Sequence, residues 1–332
     1  MVQSLHHYFT PAEAGCQDKS GGTPMKTALK VVGIIILVII ILIVIFVYWI
    51  THLDGSLKDN YRDSIETGGV IEATYLGDGP YETSYYEQTT TQIFEKYMIS
   101  YPTELETSSK KYPVIVICNG TGWKGSYSKA QQQLYASYGF IVIATEETYS
   151  WNAFGAEMCV RHLELLNDYI DDEGETSIFY QKVDFDNVGI VGHSQGGVGV
   201  INAITDTDHK DIYKAAVALS PTNQPVATAL EWSYDASLVE TPIMLISGAG
   251  GGDDWVVTLE GLTDIYDQIS GEKLMMRRCD TAHGSTNTAE DGYVVAWFMW
   301  KLQGDEEAAK AFVGDDAEIL SNELYQDVNK NF

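Results

Sequence analysis

The chain has 332 residues, 45% of them apolar, and a net charge of −27. That apolar fraction is globular and argues against a disordered chain, and such an excess of carboxylates argues against a nucleic-acid partner. The acidity lies in residues 51–332, with 17 basic against 45 acidic groups; residues 1–50 hold Lys19, Lys26 and Lys30 against Glu13 and Asp18. A surface of that sign stays soluble and repels anionic substrates and anionic lipid. Four cysteines are too few for a disulfide scaffold. Cys118 sits in an apolar run and reads as a buried thiol, while a Cys159–Cys279 pair stays open because sequence alone does not place their Cα atoms. No zinc spacing is present. Asp184 and Asp186 stand two apart but lack the glycine and distal Glu of a calcium loop, so they read as a solvated turn. No metal or organic cofactor is implied.

In chain order, residues 1–28 are polar and read as a disordered cytoplasmic tail, and residues 29–50 as a transmembrane anchor helix. The run Val31 to Ile50 is twenty residues without a charge. At ~1.5 Å per residue it spans about 30 Å, the thickness of the hydrocarbon layer. Tyr48 and Trp49 stand at its end, where interfacial aromatics belong, and no polar stripe marks it as a core helix. A cleaved signal peptide would have a shorter apolar region ending in small residues. Lys26 and Lys30 before the run and Asp54 after it place the N-terminus inside and the bulk outside, in a single-pass cell-membrane protein. Translation beginning at Met25 in place of Met1 stays open.

Residues 51–66 form a polar juxtamembrane segment, and 67–332 one domain without repeats or internal linkers. Val70 to Tyr75 and Thr91 to Tyr101 read as strands, with turn chemistry at Leu76-Gly-Asp-Gly-Pro80. Tyr112 to Cys118 and Gly139 to Ala144 are continuous apolar runs, the mark of buried parallel strands. Further strands are predicted at Val188 to Val191, Ala215 to Leu219, Pro242 to Ser247 and Lys273 to Arg278. Helices are predicted at Tyr127 to Tyr138, Glu157 to Tyr169, Gly197 to Thr205, Val257 to Ile269 and Asp291 to Leu302. Strands alternating with helices predict an α/β fold, a mostly parallel sheet with helices on both faces.

The strand at Val188 to Val191 runs into Gly192-His-Ser194-Gln-Gly196 and then into a small, apolar helix. Strand, tight turn and helix are the context a nucleophile elbow requires, with glycines flanking a strained serine. A serine hydroxyl needs a base, and the base an orienting acid. Reacting groups of such sheets lie beyond the carboxyl ends of the strands. His283, after the strand Lys273 to Arg278, is the candidate base. His209 lies in a charged loop and reads as exposed, and His162 and His193 read as packing residues. For the acid, the loop Gly248-Ala-Gly-Gly-Gly-Asp253-Asp254-Trp255 offers two aspartates. Asp254 is favoured because Trp255 and Val256-Val257 would bury what lies next to them; Asp253 stays open. The Gln195 N–H, at the helix start, is one candidate oxyanion donor. The loop Asn119-Gly-Thr-Gly-Trp123 supplies the other, with Thr121 ahead of Gly122. Trp123, Trp151 and Trp255 fall in loops at the same edge and predict an apolar acyl or aryl pocket. No insertion before Pro242 is long enough for a large lid.

Together these stretches resemble the α/β-hydrolase superfamily, most closely dienelactone-hydrolase-like, chlorophyllase-like and cutinase or polyester-hydrolase-like enzymes. The resemblance rests on Tyr112-Pro-Val-Ile-Val-Ile-Cys-Asn-Gly with Ala136-Ser-Tyr-Gly-Phe-Ile-Val-Ile-Ala, on Gly192-His-Ser-Gln-Gly-Gly, on Asp254-Trp-Val-Val, and on His283 with Trp297-Phe-Met-Trp-Lys-Leu-Gln-Gly-Asp305. It covers about 95–313. It implies an α/β-hydrolase fold and a serine hydrolase, foremost a carboxylesterase, with Ser194 as nucleophile, Asp254 as acid and His283 as base. Thr121 and Gln195 would donate to the oxyanion, and Gly122, Trp123, Trp151 and Trp255 would line the substrate site. The implied partner is a small-molecule or acyl-ester substrate; oligomeric state is left open. The same triad serves amide or peptide cleavage and acyl transfer, and a non-catalytic binding module on this scaffold is the alternative of another class. The glycine-rich acid loop and the membrane anchor depart from the family pattern.

Overall fold

The apolar runs become the centre of one sheet. The computed structural model describes residues 55–332 and Val31. The expected membrane-spanning run lies outside these but for Val31, and among the described residues no helix is long and apolar enough to cross a membrane. Residues from Gly55 onward join the compact unit; the Leu57 N–H donates to the Tyr127 carbonyl at 2.8 Å and the Tyr61 hydroxyl to Asp291 at 2.7 Å.

The strands are β1 Thr83–Thr89, β2 Lys96–Pro102, β3 Tyr112–Cys118, β4 Ile141–Thr145, β5 Val183–His193, β6 Tyr213–Leu219, β7 Ile243–Ala249, β8 Lys273–Cys279 and β9 Tyr325–Lys330. They form one sheet in the order β1-β2-β4-β3-β5-β6-β7-β8-β9. From β4 to β8 neighbours are parallel; β1, β2 and β9 add antiparallel edges. The main helices are α1 Val70–Leu76, α2 Lys129–Ser137, α3 Phe154–Asp168, α4 Gln195–Asp206, α5 Gln224–Ala229, α6 Asp253–Val256, α7 Leu259–Gln268, α8 Asp291–Gln303 and α9 Glu306–Ala309. Two apolar clusters, one on each face, sandwich the sheet. Strand order reverses at β3, so the carboxyl ends of β3 and β5 open a crevice between them, where such sheets hold their ligands.

Several expectations are corrected. Val70 to Tyr75 is helix, not strand. Its buried residues Glu72, Tyr75 and Leu76 follow a helical period, and the Glu318 carboxylate accepts from the Ile71 and Glu72 N–H groups at 2.7 and 2.9 Å. That partner lies far along the chain, and it satisfies donors that a helix start leaves open. The polar edge strands β1 and β9 carried no apolar signal. Asp184 and Asp186 lie within β5, where its register with β3 shifts, not in a turn before it. The pairing left open for Cys159 and Cys279 does not form: both are free thiols. His209 is half-buried, with Nδ1 2.8 Å from a Glu157 oxygen.

Candidate active site

Ser194 follows β5 and precedes α4, with φ 58° and ψ −118°. A side chain on either flanking glycine would clash with backbone: a Cβ on Gly192 would stand 2.3 Å from the Gly196 carbonyl oxygen, and one on Gly196 2.2 Å from that of Cys118. The Ser194 N–H is anchored on the Leu219 carbonyl at 2.8 Å. A strained turn so fixed lifts the hydroxyl off the sheet edge.

That hydroxyl lies 2.8 Å from His283 Nε2, and His283 Nδ1 lies 2.7 Å from Asp253 Oδ1. His283, the candidate base, reaches the serine from the loop after β8. The acid position is corrected: Asp253 stands against His283, and Asp254 does not. The Asp254 side chain is 66% exposed and paired with Arg277 at 2.8 Å, whereas Asp253 is fully buried. The reason is helical. Gly251 and Gly252, at φ 45° and 104°, turn the chain into α6, which begins at Asp253. Residues three and four apart share a helix face. Burial of Val256 and Val257 therefore buries Asp253, while Trp255 points out, 69% exposed. Helical spacing, not adjacency to Trp255, decides which aspartate is buried.

The loop after β3 faces the serine. Asn119 is buried and its amide donates to the Thr145 and Glu147 carbonyls at 2.7 and 2.8 Å, tying this loop to the one after β4. The Gly122 N–H is spent on the Thr148 carbonyl at 3.1 Å, and Gly122 does not line the cleft; Thr121 does. Gln195 opens α4, where the first N–H groups lack intrahelical partners. Glu147 also caps α3, accepting from the Gly155 N–H at 3.0 Å, and burial pushes its carboxyl up to about 7.

The cleft above Ser194 and His283 measures about 460 Å³. Trp123 and Trp255 line it, and Trp151 does not: it packs against the core, its carbonyl accepting from the Asn202 amide at 2.7 Å. Its place is taken by Val226, Leu230 and Trp232, on and just after α5. In the sequence this wall is marked only by Trp232, in a segment too short for a large lid. A weakly polar enclosure around a hydroxyl paired with an imidazole suits attack on an uncharged carbonyl next to apolar groups. Among the described residues no cluster of His, Cys, Asp or Glu could hold a metal ion.

A family model described as PETase: PET hydrolase-like matches residues 63–329. A search of curated proteins returns no match.

Proposed function

The chain belongs to the PET hydrolase-like family of ester-hydrolysing α/β-hydrolases, and from that premise we propose that it is a membrane-anchored serine carboxylesterase. In this reading Ser194 is the nucleophile, His283 the base and Asp253 the orienting acid. One observation carries it: the two-bond line from the Ser194 hydroxyl through the imidazole to a buried carboxylate, at 2.8 and 2.7 Å, opening onto an apolar cleft.

The steps follow from what each group can hold. Asp253 only accepts, so it keeps the proton of His283 on Nδ1 and leaves the Nε2 lone pair facing Ser194. As the Ser194 oxygen attacks the ester carbonyl, Nε2 takes its proton, and the Asp253 charge stabilises the imidazolium. The Thr121 and Gln195 N–H groups donate to the oxyanion. His283 then returns the proton to the departing alcohol oxygen. Water, deprotonated by the same imidazole, cleaves the acyl-enzyme. The tryptophan walls favour esters flanked by apolar or aryl groups.

A panel of p-nitrophenyl esters of graded chain length, run beside aminoacyl-anilides, tests the bond class. Esters should turn over and anilides should not; anilide turnover matching or exceeding that of the esters would make the enzyme an amidase. Anchoring is proposed through Val31 to Ile50, with residues 51–332 outside the cell, on the uncharged twenty-residue run. Protease shaving of intact cells should release the catalytic domain; digestion only after lysis would reverse the orientation.

A further inference from the structure

Asp253 is held through both of its oxygens. Oδ1 accepts from His283, and Oδ2 accepts from the Ser220 hydroxyl at 2.6 Å and the Gly248 N–H at 2.5 Å. A carboxylate cannot donate, so the Ser220 proton is committed to Asp253. Ser220 Oγ stands 2.7 Å from Thr286 Oγ1, which in turn stands 2.7 Å from the main-chain carbonyl of His283. The single Thr286 proton thus faces two acceptors, one on the acid's side and one on the base's own backbone. His193 Nε2 approaches the same carbonyl at 2.7 Å and Thr286 Oγ1 at 3.1 Å. A carbonyl only accepts, so Nε2 carries the proton, and His193 does more than fill space. Burial, and the facing His283, push its pKa down to about 4.

These groups come from four successive strand ends: His193 closes β5, Ser220 follows β6, Asp253 follows β7, and His283 and Thr286 follow β8. Ser220 and Thr286 are fully buried, and neither lines the cleft. Ser220 also sits at φ 43°, in the left-handed region, which costs a non-glycine residue on the order of 1–3 kcal/mol and persists only where surroundings over-determine it. Its N–H is fixed on the Ile246 carbonyl at 2.6 Å.

We propose that Ser220 and Thr286 form a buried hydroxyl relay that positions the acid–base pair. Ser220 stops the Asp253 carboxylate rotating away from Nδ1, and Thr286, whose one proton serves either the Ser220 oxygen or the His283 carbonyl, holds that hydroxyl against the backbone of the base. Both are positioning residues, and their role rests on the Ser194–His283–Asp253 reading above. The titratable groups that face Asp253 are His283, His193 and Glu290, which is fully buried and whose carboxyl burial pushes well above the usual range.

Ser220→Ala removes a donor from Asp253 and leaves more charge on the carboxylate, which favours the protonated base. The acid limb of kcat/KM against pH should therefore move to higher pH. kcat should fall about tenfold to a hundredfold, the scale seen for hydrogen-bond partners that orient metal-bound side chains, with KM unchanged. Thr286→Val, which keeps the shape and loses the hydroxyl, should shift the profile the same way and less, and Thr286→Ser should restore it. Because the two act as one unit, the double variant should be no worse than Ser220→Ala alone within about twofold. An unmoved acid limb with kcat losses that track a fall in Tm, or losses that multiply in the double variant, would overturn the relay. Ser194→Ala measured alongside separates the failures: if it retains turnover, the nucleophile reading falls and the relay with it; if it is inactive, those outcomes count against the relay alone.

Discussion

Asp253→Asn is expected to lower kcat about 10⁴-fold with the fold intact, the cost of losing the group that holds a catalytic histidine in its productive tautomer. The bonding around the residue leaves an amide no good orientation. Donors approach on both sides, His283 Nδ1 on one and the Gly248 N–H and Ser220 hydroxyl on the other. If the amide NH₂ faces His283, the imidazole must move its proton to Nε2, and it then cannot take one from Ser194. If it faces Gly248, donor meets donor in a buried site, at a cost of about 1–3 kcal/mol. Asp254→Asn should change kcat only a few-fold. Its carboxylate is exposed, and the buried Arg277 that it meets keeps Asp327 and the Gly248 carbonyl as partners without it. Initial rates on one ester, with circular dichroism to check the fold, decide between the two aspartates. The reverse ranking would return the acid to Asp254.

The second large effect concerns Ser194 and His283 as a unit. Ser194→Ala should remove nearly all ester turnover, and His283→Ala nearly as much. The double variant should be scarcely worse than either, because groups that act in one step do not add their losses. A small residual rate should survive from the oxyanion donors and the cleft. Both variants should fold, since the serine stands at the cleft and the histidine ring is only partly buried. Losses that multiply in the double variant would mean that the two side chains work in separate steps.

The parts legible in the sequence are those set by local chemistry. β3, β4 and β6 announce themselves as continuous apolar runs, and Ser194 by the glycines that its turn cannot do without. His283 was legible by its place after a late strand. What was not legible depends on partners remote in sequence. α1 is helical because Glu318 accepts from its first N–H groups, and nothing in Val70 to Leu76 foretells that. β9 pairs with β8 although only Tyr325 in it is buried. Asp253 against Asp254 is a different case. The three- and four-residue spacing to Val256 and Val257 singles out Asp253 only because the segment is a helical turn, which the glycines before it hide. Trp151 and Trp232 differ in what surrounds them, and that follows from where α5 folds back over the cleft.

The most direct measurement of the central claim, that Ser194 is the nucleophile, is covalent labelling with a fluorophosphonate followed by peptide mass spectrometry. The expected result is one adduct per chain, on the peptide containing Ser194, absent in Ser194→Ala and greatly slowed in His283→Ala. An unlabelled protein that still cleaves esters, or an adduct that persists in Ser194→Ala, would contradict it.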